Sequence, residues 1–337
     1  MDGQSIVAVA VAQPGTQGRL PRALVYGLAL MCLLAAPLVG AYPVFILKIL
    51  CFALFACAYN LLIGYTGLLS FGHAAFFGGA GYVAGHAMKV WGVTPELGLV
   101  LGTVTGALIG LVVGGIAIRR QGIYFSMITL ALAQMLFFVL LQAPFAGGED
   151  GMQGIPRGRL LGLLPLDNDL TLYYVVLVIA VAAFSLIVRT VHSPFGQILK
   201  AIKENEPRAI SLGYDVDRFK LAAFVLSAAL SGLAGSMKAL VLGFETLTDV
   251  HWSMSGMVIL MTLVGGLGTL TGPIVGAFVI VMLENKLGDL GTALAASTGV
   301  DWFNGLGESV SMVTGMIFVA CVLAFRKGIV GTLASKR

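Results

Sequence analysis

Polar side chains are scarce in this chain, and they gather in two places. The first is the run Asn60-Leu61-Leu62-Ile63-Gly64-Tyr65-Thr66-Gly67-Leu68-Leu69-Ser70-Phe71-Gly72-His73. It sets an amide, the Thr66 and Ser70 hydroxyls and an imidazole beside Gly64, Gly67 and Gly72, in otherwise apolar surroundings. Two chemistries fit this pattern. Polar groups at a broken helix can line a path for a polar solute, or they can hydrogen-bond the backbone groups that the break frees. The second place is Val191–Lys220, which holds Lys200, Lys203, Glu204, Glu206, Arg208, Asp215, Asp217, Arg218 and Lys220. An island this polar has to meet water, either as an ordinary solvated loop or as a docking element.

Covalent and metal chemistry find no footing. There is no GxxxxGK[ST] phosphate loop, no HExxH and no GxSxG, and no clustered metal ligands. Cys32, Cys51, Cys57 and Cys321 lie inside apolar runs without disulfide or CxxC spacing. No cofactor and no metal is expected on the chain itself, and a membrane enzyme is disfavoured.

The elements that position these residues follow from composition. The chain has 337 residues, 58% hydrophobic and only 11% charged, against about a quarter charged in soluble domains. Mean hydropathy is +0.97. This is an all-α integral membrane protein, and its charge of +4 reflects loop placement rather than nucleic-acid binding. Arg19 and Arg22 precede the first apolar run and no cleavable signal is expected, which leaves 1–22 as a cytoplasmic segment.

Charge-free windows predict the spans: Ala23–Gly40, two within Ile49–Met88 broken at Gly64–Gly67, Leu97–Ile118, Gly122–Ala143, Leu170–Val188 and Leu221–Gly243. Val250–Leu283 is too long for one crossing of a ~30 Å hydrocarbon core. Gly265-Gly266-Leu267-Gly268 and Gly272-Pro273 divide it into short helices near Met254–Leu267 and Pro273–Lys286. Ser309–Phe325 completes about ten spans, a transmembrane region over 23–326 with a cytoplasmic tail at 327–337. With both termini cytoplasmic, fourteen of the twenty Lys and Arg residues fall inside, as the positive-inside rule requires. The charged island is then cytoplasmic, and Gly147-Gly148-Glu149-Asp150-Gly151 faces the other side.

Small-residue stripes at i, i+4 spacing mark close helix packing: Gly102, Gly106, Gly110 and Gly114, then Ser227, Ser231 and Gly235, then Gly268, Gly272 and Gly276. Lys48 and Lys238 read as snorkelling anchors. Few carboxylates are expected in the membrane, which argues against a proton- or sodium-coupled carrier. The two broken regions, 64–85 and 254–276, are candidates for counterparts in an internal repeat.

Within the island, Ser193 suits an N-cap and Pro194 the first helical position, while Ile198, Leu199 and Ile202 share a face. Pro207 starts a second short helix, and Gly213 is placed to end it in the left-handed region. Ile198, Ile202, Ala209, Ile210 and Leu212 give this hairpin an apolar face.

Four stretches together resemble the LivM-type permease of branched-chain amino acid ABC importers. They are Asn60 through Ala74, Gly147 through Gly151, Ala201-Ile202-Lys203-Glu204-Asn205-Glu206 through Leu212-Gly213, and Val264-Gly265-Gly266-Leu267-Gly268-Thr269-Leu270-Thr271-Gly272-Pro273. They stand in the family's order over most of 50–285, whereas 1–20 and 288–308 carry no match. The EAA-loop spacing of other importer permeases is not kept. The resemblance implies an inner-membrane subunit that works with a LivH-like permease, two cytoplasmic ATPases holding the ATP, and a periplasmic binding protein. The substrate path is expected near the polar break, at Asn60, Gly64, Thr66, Gly67, Ser70, Gly72 and His73. Coupling to the ATPases would fall to Lys203, Glu204, Glu206, Arg208, Ala209, Leu212 and Gly213, with the apolar face seated in an ATPase groove. Branched-chain amino acids are the expected substrates, with urea, short amides or other amino acids as the alternative. A self-sufficient channel or secondary carrier is the competing class.

Overall fold

The computed structural model describes residues 42–162 and 164–298, together with 33–39, 328–335 and a few isolated positions. The expected first span, Ala23–Gly40, lies largely outside the described residues, with a 3-10 turn at Ala36–Val39. The expected last span, Ser309–Phe325, lies outside them too. The remainder is helical: α1 Pro43–Thr66, α2 His73–Lys89, α3 Pro95–Ala117, α4 Ile123–Gln142, α5 Asp169–His192, α6 Pro194–Glu204, α7 Glu206–Ser211, α8 Val216–Leu242, α9 Trp252–Gly265, α10 Gly272–Thr298 and α11 Gly328–Ser335. Among the described residues, α1, α3, α4, α5 and α8 are long and apolar enough to cross a membrane.

Burial sorts these helices into a centre and a rim. α1 and α8 are apolar on nearly every face and buried along most of their length, so they form the centre. α8 packs on α1, α2 and α3. α3, α4 and α5 bury one side only, and Val100, Val104, Leu108, Phe138 and Val178 stand exposed on the other. Glycine sets the closest contacts. A Cβ on Gly106 of α3 would stand 2.7 Å from the Ala228 carbonyl oxygen and 3.0 Å from Gly232 Cα of α8. Gly110 and Gly114 meet Ala228 and Phe224 further along the same line, and Ser227 and Ser231 are fully buried on α8.

The chain alternates between two poles. At one, Gln121 after α3 bonds Glu206 of α7 (3.0 Å), and Lys203 of α6 bonds the end of α1. At the other, Lys89 ends α2 on the Gln153 carbonyl (2.6 Å), and Arg157 ties the start of α5 to the Val241 carbonyl at the end of α8. Two very short sheets also belong to this second pole. β1 (Met152–Gln153) pairs antiparallel with β4 (Phe244–Glu245), and β2 (Arg159–Leu160) with β3 (Leu164–Pro165).

Several boundaries differ from expectation. The first break falls at 67–72, because Gly64–Thr66 continue α1 and the left-handed residue is Gly67 (φ 77°). α8 begins inside the charged island, capped by Asp215. α10 runs on to Thr298, well past Lys286. Gly328–Ser335, expected as tail, is a helix packed on α9 and α10.

Candidate functional site

The hairpin α6–α7 forms as its local sequence dictates. Ser193 Oγ accepts from Gly196 N–H (3.3 Å), Asn205 Oδ1 accepts from Arg208 N–H (3.0 Å), and Gly213 turns left-handed (φ 87°) after α7. Its apolar face does not act as one surface. Ile202 and Ala209 are buried in a small core with Val216, flanked by Ile198 and Phe219, all from this chain. Ala209 therefore faces inward, a correction to its expected seat in a partner's groove. Ile210 (57% exposed) and Leu212 (69% exposed) remain outside, with Glu204 and Arg208 exposed around them.

Two side chains fasten the hairpin to the bundle. Glu206 accepts from Lys220 Nζ of α8 (2.7 Å), and Lys220 is itself buried. Lys203 donates to the Gly64 carbonyl oxygen in the last turn of α1 (2.7 Å). Lys200 lies 5.7 Å from the Tyr65 ring centre. A Cβ on Gly67 would stand 3.3 Å from Lys203 Cγ. The hairpin thus rests on the very break that carries the other polar cluster.

Inside the break, the backbone groups freed by leaving the helix are met one by one. Leu68 N–H donates to Thr66 Oγ1 (3.4 Å), and Gly72 N–H to Ser70 Oγ (3.2 Å). Phe71 N–H donates to Thr129 Oγ1 of α4 (3.2 Å), and Ser126 Oγ donates to Leu69 O (2.6 Å). Ala74 N–H, at the start of α2, donates to Ser255 Oγ of α9 (2.9 Å). Gly72 lets α4 approach, since a Cβ there would stand 2.8 Å from the Thr129 carbonyl oxygen. Thr66, Ser70 and His73 are buried, while Gly67 and Leu69 are exposed.

His73 is bound to a side chain rather than to a freed carbonyl directly. Ser227 Oγ donates to the Ala58 carbonyl (2.5 Å), so its single proton is committed and it accepts from His73 Nε2–H at 2.9 Å. This fixes the tautomer, and Nδ1 is left without a partner among the described residues. Asn60 spans the two breaks. Its Nδ2 donates to Thr269 O (2.9 Å) and its Oδ1 accepts from Gly268 N–H (3.0 Å). The glycine turns after α1 and after α9 are therefore in direct contact, and a Cβ on Gly64 would stand 2.9 Å from Gly268 N.

A family model described as branched-chain amino acid transport system, permease component, matches residues 43–322. The chain belongs to that family. The match takes in both broken helices and the hairpin between them. The permease is 28% identical over 258 residues to the high-affinity branched-chain amino acid transport system permease protein LivM of Salmonella typhimurium, and 27% identical to that of Escherichia coli. Each alignment covers 68% of this chain and 60% of the relative, so the chain spans about 60% of the length of the LivM proteins it matches. It is also 28% identical over 193 residues to the autoinducer 2 import system permease protein LsrC of Klebsiella pneumoniae, covering 56% of this chain and 53% of that one.

Lys238 is a correction of a different kind. Expected to snorkel, it is 4% exposed and donates to Asp249 Oδ2 and, at 3.3 Å, to Glu245 Oε2. No local periodicity announces this cluster. A clue does exist, in that Gly243 ends α8 in the left-handed region (φ 73°) and sends the next two acidic residues back over its last turn.

Proposed function

We propose that this permease is the membrane-spanning subunit of an ABC importer, and that the α6–α7 hairpin receives the motion of cytoplasmic ATPases. The observation that carries the reading is the Lys203–Gly64 contact, which joins the hairpin to the broken end of α1. A short rigid element seated on a partner transmits displacement to whatever it is fastened to. Here the fastenings are α1 through Lys203 and α8 through Glu206 and Lys220. In this reading a LivH-like second permease completes the path, an extracytoplasmic binding protein supplies the solute, and about ten spans put both termini in the cytoplasm. Lys and Arg are abundant at the hairpin pole (Arg119, Arg120, Arg189, Lys200, Arg208 and Arg218), which supports that pole as the cytoplasmic one.

The substrate of this reading is a branched-chain amino acid, supported by the LivM relatives; the LsrC relative marks a different cargo on a related chain. Gly67, Leu69 and the neighbouring Phe71 form the accessible side of the break, and the path is proposed to run there. Asn60, Thr66, Ser70, Gly72 and His73 hold its shape from behind.

The test uses the exposed rim of the hairpin. Leu212→Asp puts a charge where an ATPase would seat apolar surface, and desolvating it there costs on the order of a few kcal/mol. Co-purified ATPase is expected to fall at least tenfold, with the permease still folded. An unchanged yield of the complex would overturn the docking assignment.

A further inference from the structure

At the pole opposite the hairpin, three charged side chains share one buried pocket: Lys238 (4% exposed), Glu245 (0%) and Asp249 (3%). Their hydrogen bonds are unequal. Asp249 Oδ2 accepts from Lys238 and also from Thr246 N–H (3.2 Å) and Thr246 Oγ1 (2.6 Å). Among the described residues, Glu245 has only the 3.3 Å contact from Lys238 to Oε2, and its Oε1 has no donor. Gly81 of α2 closes the pocket on that side, since a Cβ there would stand 2.7 Å from Oε1. The Tyr82 hydroxyl is also buried without a partner among the described residues, within electrostatic reach of both carboxylates.

Two carboxylates and one ammonium leave a surplus negative charge in a buried site. Such a charge is costly, and the group with fewer donors is the one that neutralises. We propose that this cluster is a proton-binding site: Glu245 is a neutral acid at neutral pH, and its loss of the proton unseats the 244–250 segment from α2 and α8. The consequence reaches further, because Glu245 is paired with Met152 and holds the 147–153 loop to the same place.

Among the described residues, the groups facing Glu245 are few. They are Lys238 from α8, Tyr82 from α2, Cys51 from α1, which interacts with both Lys238 and Glu245, and Asp249 from its own segment. Glu149 and Asp150 of the paired loop are exposed. Burial holds the Glu245 carboxyl well above the usual carboxylate range, Lys238 opposes this, and the Asp249 charge adds to it. A carboxyl whose pKa is raised by folding favours the folded state while it is protonated. That contribution is lost as pH rises through the raised value. Glu245→Gln imitates the protonated acid and should remove the dependence.

The experiment uses purified full-length protein in detergent and does not depend on transport. The wild-type minus Glu245→Gln infrared difference spectrum across a pH titration should show the carbonyl stretch of a buried carboxylic acid at neutral pH, shifted in D2O and fading at high pH; the subtraction removes any band from another carboxyl such as Glu284. Between the ordinary carboxylate range and the raised value, the wild-type unfolding temperature should fall by roughly 2 °C per pH unit and then level off above the titration, while that of Glu245→Gln stays level throughout. Asp249→Asn provides an independent arm. It removes the surplus charge, so Glu245 should ionise against Lys238 and the acid band should vanish at neutral pH. A difference spectrum between wild type and either folded variant that shows no acid band, or equal pH slopes in wild type and Glu245→Gln, would overturn the assignment.

Discussion

Lys203→Met tests the mechanical reading most directly. Methionine keeps a long flexible stem against Gly67 but removes the charged donor from the Gly64 carbonyl. A hydrogen bond from a charged donor contributes about 1.5–3 kcal/mol when shielded. Lys203 lies on the exposed side of α6, where screening and side-chain freedom bring an ionic contact down to about 1 kcal/mol. A contact can bias a conformational equilibrium only by as much as its strength differs between the two states. The loss of coupling is thus capped at about fivefold. With the complex reconstituted in vesicles, solute uptake per ATP hydrolysed should drop by about two- to fivefold. Assembly and basal hydrolysis should be retained, because α6 keeps its Ser193 cap and its Ile202–Val216 core. Lys203→Arg should keep most of the ratio. A wild-type ratio in Lys203→Met refutes the lever. Parallel loss of assembly and uptake would instead make Lys203 a folding residue.

Three further outcomes follow from the packing and the proposed orientation. Asn60→Leu leaves the buried Gly268 N–H and Thr269 carbonyl without partners, about 1–3 kcal/mol for each group, and should lower the unfolding midpoint by several degrees. Gly106→Val should abolish a stable fold by forcing α3 from α8, whereas Gly115→Ala on the same helix meets nothing within 4 Å and should be neutral or slightly stabilising. In a cysteine-free background, an impermeant thiol reagent applied to intact cells should label a cysteine at position 149 and spare one at 204; the reverse pattern would invert the proposed orientation.

What the sequence made legible was local. Ser193, Pro194, Pro207 and Gly213 act within a few residues of themselves, and the hairpin they frame is found as expected. Two of the small-residue stripes, on α3 and α8, were legible for the same reason, since i, i+4 spacing is a property of one helix; the third is not one stripe, because Gly268 sits in the left-handed turn (φ 72°) before α10. The break was misplaced by three residues, because a glycine inside an apolar helix is tolerated and only a left-handed residue must end it. Gly64 stays helical, and the Thr66 hydroxyl bonds the Leu62 carbonyl one turn back (2.5 Å). α10 was expected to stop where its window met charge, but Glu284 and Lys286 do not interrupt a helical backbone. The contacts that make the site were not legible at all. Asn60 and Gly268 are 208 residues apart, and Lys203 and Gly64 are 139 apart. Nothing within one chain pairs them.

Those two long-range contacts bear on the same short piece of α1. Gly64, whose carbonyl takes the Lys203 bond, lies one turn beyond Asn60, whose amide holds the turn after α9. The last turn of α1 is therefore gripped from both sides. Immediately beyond it, Gly67 frees the chain from helical geometry, so this turn can shift without dragging α2 along. α2 is independently fixed, by Ser255 at its first turn and by the His73–Ser227 bond. A displacement of α6 must either stretch the Lys203 bond or move the end of α1, and with it the glycine turn that Asn60 holds. The flexible residue lies where the two gripped elements part, which is the arrangement a hinge requires. Under the coupling reading, the stroke delivered to the hairpin reaches the second broken helix through Asn60 rather than through the longer route of α8.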